Sequence, residues 1–90
     1  MAWRVELDKS AERELDKLEK QTAKRIILFL YERLAKLEDP RSIGEALKGS
    51  RLGTFWRYRV GNYRVIASIE DKSLLIIVVR VGNRNDIYMH

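Results

Sequence analysis

Residues 55–70 of the chain read FWRYRVGNYRVIASIE. Bulky apolar side chains alternate with polar ones along this stretch, a pattern typical of strands that have one covered face. The pair Gly61-Asn62 divides the stretch into two runs, 55–60 and 63–70. A glycine-containing pair between two alternating runs predicts a two-residue turn. The stretch therefore predicts an antiparallel β-hairpin.

A two-residue turn also fixes the register of the hairpin. Arg59 falls opposite Arg64, and Arg57 lies two residues before Arg59 on the same strand. Because successive side chains of a strand point to opposite faces, all three arginines share one face. The other face carries Trp56, Tyr58, Val60, Tyr63, Val65, Ala67 and Ile69. We expect helices to cover this second face and to leave the arginine face open.

Before the hairpin, the hydrophobic pattern predicts one strand and two helices. Residues 3–7 alternate apolar and charged side chains, as a half-buried strand does. A short helix follows, for which Ser10 can serve as the N-terminal cap. Apolar residues at helical spacing predict a second helix over about residues 22–37, which ends before Pro40.

After the second helix, residues 40–53 predict a loop with one helical turn at residues 43–47. Residues 74–81 are apolar on both faces, which predicts a strand in the middle of the sheet. The order is β-α-α-β-β-β over a single domain, residues 1–90. This is an α+β fold in which two N-terminal helices pack on one face of a small, mostly antiparallel sheet.

The positive charge lies in the second half of the chain. Residues 1–47 carry ten basic and ten acidic side chains, whereas residues 48–90 carry eight basic and three acidic ones. The net charge of +5 therefore comes from the half that contains the hairpin. Such an excess indicates an anionic partner, and nucleic acid is the commonest.

The arginine face has two interpretations. Like charges directly opposite one another destabilise a sheet, and neither hairpin strand supplies an acid to the three arginines apart from Glu70 at the far end. Arginine presents a planar fork that matches phosphate oxygens, so the face can be a phosphate site. The alternative is a solvated face, or arginines paired after folding with acids from residues 38–45.

The composition limits the chemistry. The chain has no cysteine and a single histidine, His90, so neither a thiolate metal site nor a pair of histidines is available. The basic half has no acidic cluster that would hold magnesium. We therefore expect no metal and no cofactor. The N-terminal residues do not form a signal peptide, and no apolar run is long enough to cross a bilayer, so we expect no membrane association and a cytoplasmic location.

Three blocks carry a family resemblance: residues 47–49, residues 55–66, and residues 81–88, which read VGNRNDIY. Together they resemble the RelE-like toxins of the RelE/ParE toxin–antitoxin superfamily, whose fold has the same element order. The resemblance implies the toxin of a type II system, a metal-independent endoribonuclease (mRNA interferase). It also implies two kinds of partner, a cognate antitoxin and the ribosome with its mRNA.

The resemblance further implies the reaction and the residues that perform it. In RelE-like enzymes the toxin enters the ribosomal A site, and the 2′-hydroxyl of the mRNA attacks the adjacent phosphate. Arg64, Arg84 and Tyr88 match the catalytic residues, which stabilise the phosphoryl charge, assist the leaving oxygen and stack on the nucleotide. The expected RNA- and phosphate-binding residues are Lys48, Arg57 and Arg59.

One departure from the family pattern leaves the general base open. Arg57 and Arg59 stand where some members have two lysines, one of them proposed as the base, and arginine does not readily give up its proton. Two other functions therefore stay open. One is a ParE-like toxin that inhibits DNA gyrase without cutting RNA, and the other is a non-catalytic RNA-binding module.

Overall fold

A computed structural model of the chain describes residues 2–47 and 55–83. The strands are β1 (Arg4–Leu7), β2 (Glu45–Leu47), β3 (Phe55–Val60), β4 (Tyr63–Glu70) and β5 (Leu75–Asn83). The helices are α1 (Lys9–Asp16) and α2 (Lys20–Leu28). Helix α2 continues through a π-helical turn (Phe29–Arg33) and a 3-10 turn (Leu34–Lys36), and a separate 3-10 turn spans Pro40–Ile43.

The five strands form one sheet in the order β1-β5-β4-β3-β2. Strand β1 pairs with β5 in parallel, and the other neighbours are antiparallel. The predicted α+β class is confirmed, and β5 lies inside the sheet as its apolar composition indicated. The predicted helical turn at residues 43–47 is wrong. Residues 45–47 instead pair with residues 55–57 as strand β2, which satisfies backbone groups of β3 that would otherwise lie on an open edge.

The hairpin has the predicted register. Val60 pairs with Tyr63 and Arg59 with Arg64. Gly61 has a φ of 61°, in the left-handed region that only glycine adopts without strain. A Cβ at this position would also lie 3.0 Å from the guanidinium of Arg25 on α2. The turn therefore needs glycine for its backbone, and the missing Cβ also leaves room for the Arg25 side chain.

Helix α1 begins earlier than predicted. Asp8 is the N-terminal cap, and its carboxylate accepts a hydrogen bond of 2.9 Å from the backbone N–H of Ala11. The prediction of Ser10 as the cap is wrong, because Asp8 is still extended and bonded to the sheet through Val78. The chain turns into the helix directly at the end of β1, and Ser10 already lies inside the first turn.

One face of the sheet packs against both helices, as predicted. Helix α2 and its extension contribute Ile26, Leu30 and Leu34, and α1 contributes Ala11 and Leu15. The sheet contributes Tyr58, Val60, Val65, Ala67, Ile76, Val78 and Val81. The second helix reaches Lys36 but begins at Lys20, two residues before the predicted start.

The carboxylate of Glu14 protects the edge of β5 that β1 leaves uncovered. Strand β1 pairs with β5 only as far as Val78. Beyond it, Glu14 accepts hydrogen bonds from the backbone N–H of Val81 at 3.0 Å and from Nε of Arg80 at 3.1 Å. Helix α1 is thereby fastened to β5, an inner strand of the sheet.

Tyr58 anchors the segment that leads into β2. Its side chain is 1% exposed, and its hydroxyl donates a hydrogen bond of 2.8 Å to the carbonyl of Pro40. Gly44 lies so close to the ring that a Cβ there would be 2.8 Å from Cε1 of Tyr58. Near the start of this segment, Nε1 of Trp3 donates to the carbonyl of Glu38 at 3.3 Å. These contacts seat β2 beside β3.

We expect Tyr58→Phe to lower the free energy of unfolding by about 1–3 kcal/mol, since the buried carbonyl of Pro40 loses its donor. Tyr31→Phe is the matched control. Its hydroxyl also donates to a carbonyl, that of Val5, but over 3.4 Å and at an exposed position. The control should change stability by less than about 0.5 kcal/mol. Urea denaturation at neutral pH measures the free energy of unfolding of both variants. Equal effects would show that the hydroxyl of Tyr58 contributes no more to stability than that of Tyr31.

The pH dependence gives a second test of Tyr58. Burial raises the pKa of Tyr58 to about 12 from the ordinary 10.0. The unfolded chain therefore ionises first as the pH rises, so the stability from this group is complete below about pH 10 and is lost as the pH approaches 12. The stability difference between the parent and Tyr58→Phe should narrow over that range.

Candidate functional site

Three arginines lie on the sheet face opposite the helices. Arg59 pairs directly with Arg64, and Arg57 precedes Arg59 by two residues on β3. Their exposure differs, since Arg59 is exposed, Arg57 is partly buried and Arg64 is only 5% exposed. We call these three residues the arginine cluster.

The expectation that the whole arginine face is open is wrong for Arg64. Strand β4 lies between β3 and β5, so Arg64 has Arg59 on one side and Gly82 on the other. Its Nη1 donates a hydrogen bond of 3.1 Å to the carbonyl of Tyr63. Within residues 2–47 and 55–83, its buried Nε has no hydrogen-bond acceptor. A buried cation with an unused donor is suited to a bound anion.

Strand β2 brings a carboxylate to the cluster. Glu45 pairs with Arg57 across the two strands, and Nη2 of Arg57 donates a hydrogen bond to Oε2 of Glu45. For Arg57, the structure thus realises the alternative of pairing with an acid from residues 38–45. The sequence analysis offered this pairing as an alternative but did not single out Glu45, because it placed Glu45 in a helical turn. A strand of three residues is too short to show an alternating pattern.

The arginine cluster acts on Glu45 as a unit. The hydrogen bond from Arg57 and the charge of Arg57 lower the pKa of the Glu45 carboxyl, and the charges of Arg59 and Arg64 lower it further. Glu45 is therefore ionised at neutral pH, and its side chain, which is 57% exposed, remains accessible to solvent. All three arginines thus stabilise negative charge at one place, which is the requirement for holding a phosphate.

A groove of about 140 Å³ extends from this place toward helix α2. It is lined by Phe29, Arg33, Ile43, Glu45, Arg57 and Arg59. Arg33 ends the π-helical turn that follows α2. The charge distribution along the chain did not reveal it, since it belongs to the half whose charges balance.

The remaining predicted site residues cannot be placed. Lys48, Arg84 and Tyr88 lie outside the described residues, so their roles stay predictions. In the part of the chain that the structure describes, no group of three or more His, Cys, Asp or Glu side chains is placed to hold a metal ion. No helix in that part is both long enough and apolar enough to cross a membrane.

The arrangement is suited to chemistry at a phosphodiester. Fixed guanidinium groups stabilise negative charge that develops on phosphoryl oxygens, and they need no reorganisation to do so. An ionised carboxylate can accept a proton, which an arginine cannot. The site combines the two, because Glu45 contacts Arg57 at the edge of the arginine cluster.

Comparisons with known proteins find toxins of toxin–antitoxin systems. Residues 5–88 match the family model described as the ParE toxin of the type II toxin–antitoxin system parDE. The chain is 31% identical over 88 residues to Toxin RelG of Mycobacterium tuberculosis, which covers 98% of both chains.

Solved structures show the same fold. A chain of the toxin–antitoxin complex RelBE2 from Mycobacterium tuberculosis has a TM-score of 0.83 at 25% identity, with 93% of both chains covered. A chain of the archaeal RelE–RelB complex from Pyrococcus horikoshii has a TM-score of 0.74 at 29% identity, with 93% of this chain and 97% of that one covered.

We expect inorganic phosphate to stabilise the protein through the arginine cluster. A ligand that binds only the folded state at about ten times its Kd raises the free energy of unfolding by about 1.4 kcal/mol. Arg59→Ala should lose most of this gain. Arg13→Ala removes an exposed arginine from α1 and should keep it. Thermal melts in phosphate and in chloride of equal ionic strength measure the effect, and an equal gain in both variants would contradict it.

Proposed function

The chain belongs to the RelE/ParE family of type II toxin–antitoxin toxins, and we propose that it is a ribosome-dependent mRNA endonuclease that cuts codons in the ribosomal A site. The observation that carries the proposal is the arginine cluster with the Glu45 carboxylate bonded to it. The names of the relatives support it as well, since they are RelG and RelE toxins.

The proposed reaction is an internal transfer at the phosphate. The 2′-oxygen of the mRNA forms a bond to the adjacent phosphorus while the bond from phosphorus to the 5′-oxygen of the next nucleotide breaks. The 2′-hydroxyl loses its proton to a base, and the leaving 5′-oxygen gains one. The products are a 2′,3′-cyclic phosphate and a 5′-hydroxyl. We propose that the step is independent of metal and that arginines supply the positive charge.

Each arginine of the cluster has its own role in binding the RNA. Arg64 is held in one place by its neighbours, so its guanidinium is positioned before the substrate arrives. Arg57 binds the phosphoryl oxygens from strand β3, and Arg59 binds the RNA backbone next to them. From the family resemblance, Arg84 assists the leaving oxygen and Tyr88 stacks on the nucleotide, while Lys48 adds a phosphate contact.

Glu45 is the proposed proton acceptor. Among the described residues, it is the carboxylate whose pKa responds to all three arginines of the cluster. A low pKa makes it a weak base, but it keeps the group fully ionised at neutral pH. Its hydrogen bond to Arg57 fixes its position beside the guanidinium groups that would hold the scissile phosphate.

The proposed partners follow from the same family. The two similar structures described above come from toxin–antitoxin complexes, RelBE2 and RelE–RelB, and we propose that an antitoxin of comparable type covers the arginine cluster of this chain. The substrate is mRNA on translating ribosomes, which places the activity in the cytoplasm. Ribosomal contacts would align the RNA for attack, a contribution that lowers the barrier without any further catalytic group.

A second candidate is a toxin that inhibits DNA gyrase without cutting RNA. It is favoured by the family model, which carries the name ParE. The arginine cluster weighs against it, because a protein target does not require several guanidinium groups around one anion site. Incubation with programmed ribosomes separates the two. Cleaved mRNA with cyclic-phosphate ends supports the nuclease, whereas intact mRNA together with blocked DNA supercoiling overturns it.

We expect Arg64→Ala to lower the single-turnover cleavage rate by about 10²–10³, the usual cost of losing one group that stabilises the transition state. Arg64→Lys keeps the charge but loses the planar fork, so its rate should fall between those of the parent and the alanine variant. Melting curves are recorded in parallel. A variant that is folded and cleaves at the parental rate would remove Arg64 from the catalytic site.

We expect Glu45→Gln to slow cleavage by about 10²–10⁴, the usual contribution of a general base. Because the pKa of Glu45 lies below its ordinary value of 4.5, the parental rate should not change from about pH 6 to about pH 8, where the carboxylate stays ionised. Glu70→Gln, at the far end of β4, is the matched control. A parental rate that instead rises about tenfold per pH unit would assign the base to a group of higher pKa.

A further inference from the structure

The groove beside the arginine cluster has cationic walls from two different elements. Arg59 comes from β3, and Arg33 comes from the π-helical turn after α2. Strand β2 pairs only with residues 55–57, and the groove extends from the pair of Glu45 with Arg57 to Arg59, which β2 does not pair. A ligand at the cluster can therefore continue into the groove without crossing a strand.

Two of the three arginines that line the groove, Arg33 and Arg59, are available to a ligand. Within the part of the chain that the structure describes, neither Arg33 nor Arg59 makes an ion pair. The acid next to Arg33 in sequence, Glu32, is bonded instead to Lys36 at 2.8 Å, and that hydrogen bond lowers the pKa of Glu32. Glu45 is the one acidic side chain in the groove lining, and it is bonded to Arg57. The groove thus keeps a net positive charge.

The groove also offers apolar surface between its charges. Phe29 lines it and packs against Tyr58, with ring centroids 6.1 Å apart. Ile43 lines the other side and is 37% exposed, one of the few large apolar side chains with that exposure among the described residues. Apolar surface next to guanidinium groups is the combination that binds a nucleotide, whose phosphate is charged and whose sugar and base are not.

The spacing of the two arginines is fixed by the core. Leu30 and Leu34 flank Arg33 along the helix and are fully buried. Arg59 lies between Tyr58 and Val60, which are buried against the helices. The backbone at both positions is therefore held by packing, and only the long side chains can adjust to a ligand.

We infer that Arg33 and Arg59 bind the RNA phosphate adjacent to the scissile one, so that the groove holds the neighbouring nucleotide. The inference rests on the proposed function for the identity of the polymer. The groove shares Arg57 and Arg59 with the arginine cluster, and the apolar surface of Phe29 and Ile43 beside these guanidinium groups favours a nucleotide over an acidic protein segment. A strand whose scissile phosphate lies at the cluster has its next phosphate within one nucleotide of it.

The test is the salt dependence of binding to a short single-stranded RNA that carries a 2′-O-methyl group at each sugar and so cannot be cleaved. Each phosphate contact in a single strand contributes about 0.7 to the slope of log K against log salt. Arg33→Gln should lower that slope by about 0.7 and weaken binding about tenfold at low salt. Arg13→Gln removes the same charge from the exposed surface of α1 and should change neither quantity.

A double variant tests whether one phosphate contacts both arginines. If it does, Arg33→Gln together with Arg59→Gln weakens binding less than the two single effects multiplied together. An unchanged slope and affinity in Arg33→Gln would overturn the inference, and so would a loss of antitoxin binding with RNA binding intact. Melting temperatures equal to that of the parent establish that each variant is folded.

Cleavage of mRNA by the parent on ribosomes tests the proposed function separately. If the parent cleaves mRNA and the Arg33→Gln variant binds RNA as the parent does, only the assignment of the groove is overturned. If the parent never cleaves mRNA, but the slope of log K against log salt for RNA binding depends on Arg33, the proposed nuclease activity is overturned and the assignment of the groove is supported.

Discussion

The pairing of β3 with β4 about Gly61 determines which side chains reach the core and which reach the arginine cluster. A slip of one residue would exchange the two faces, since side chains alternate along a strand. Arg59 opposite Arg64 is an unfavourable pair that costs about 0.2–1 kcal/mol. Burial of an apolar side chain such as Val65 on the other face contributes about 1.5–3 kcal/mol. The core therefore holds the two cations together against their repulsion.

Strand β3 links the core to the site through successive residues. Tyr58 points into the core and binds the carbonyl of Pro40, which seats the segment before β2. Arg57, its neighbour, meets the carboxylate that this segment carries into place, that of Glu45. A change in the packing of Tyr58 would thus move Glu45, although the two side chains lie on opposite faces of the sheet.

The parts of the fold that repeat a pattern could be predicted from the sequence. The hairpin, its register and the two helices follow from turn chemistry and periodicity. Strand β2 could not be predicted, because three residues show no period and their partners lie eight to twelve residues away in sequence. The burial of Arg64 depends on neighbours from two other strands, and the place of Arg33 depends on how α2 crosses the sheet. Neither the burial of Arg64 nor the position of Arg33 follows from the residues near it in the sequence.

Strand β5 joins the first strand to the hairpin, since it pairs with β1 on one side and with β4 on the other. Residues 4–7 meet residues 75–78 in a parallel pair, a contact between segments that are far apart in the chain. During synthesis, β1 and the β3–β4 hairpin leave the ribosome before β5, the strand that unites them, so the sheet cannot close until residues 75–83 have been made. The order of synthesis thus delays completion of the arginine cluster, in which Arg64 lies between β3 and β5, until β5 has left the ribosome.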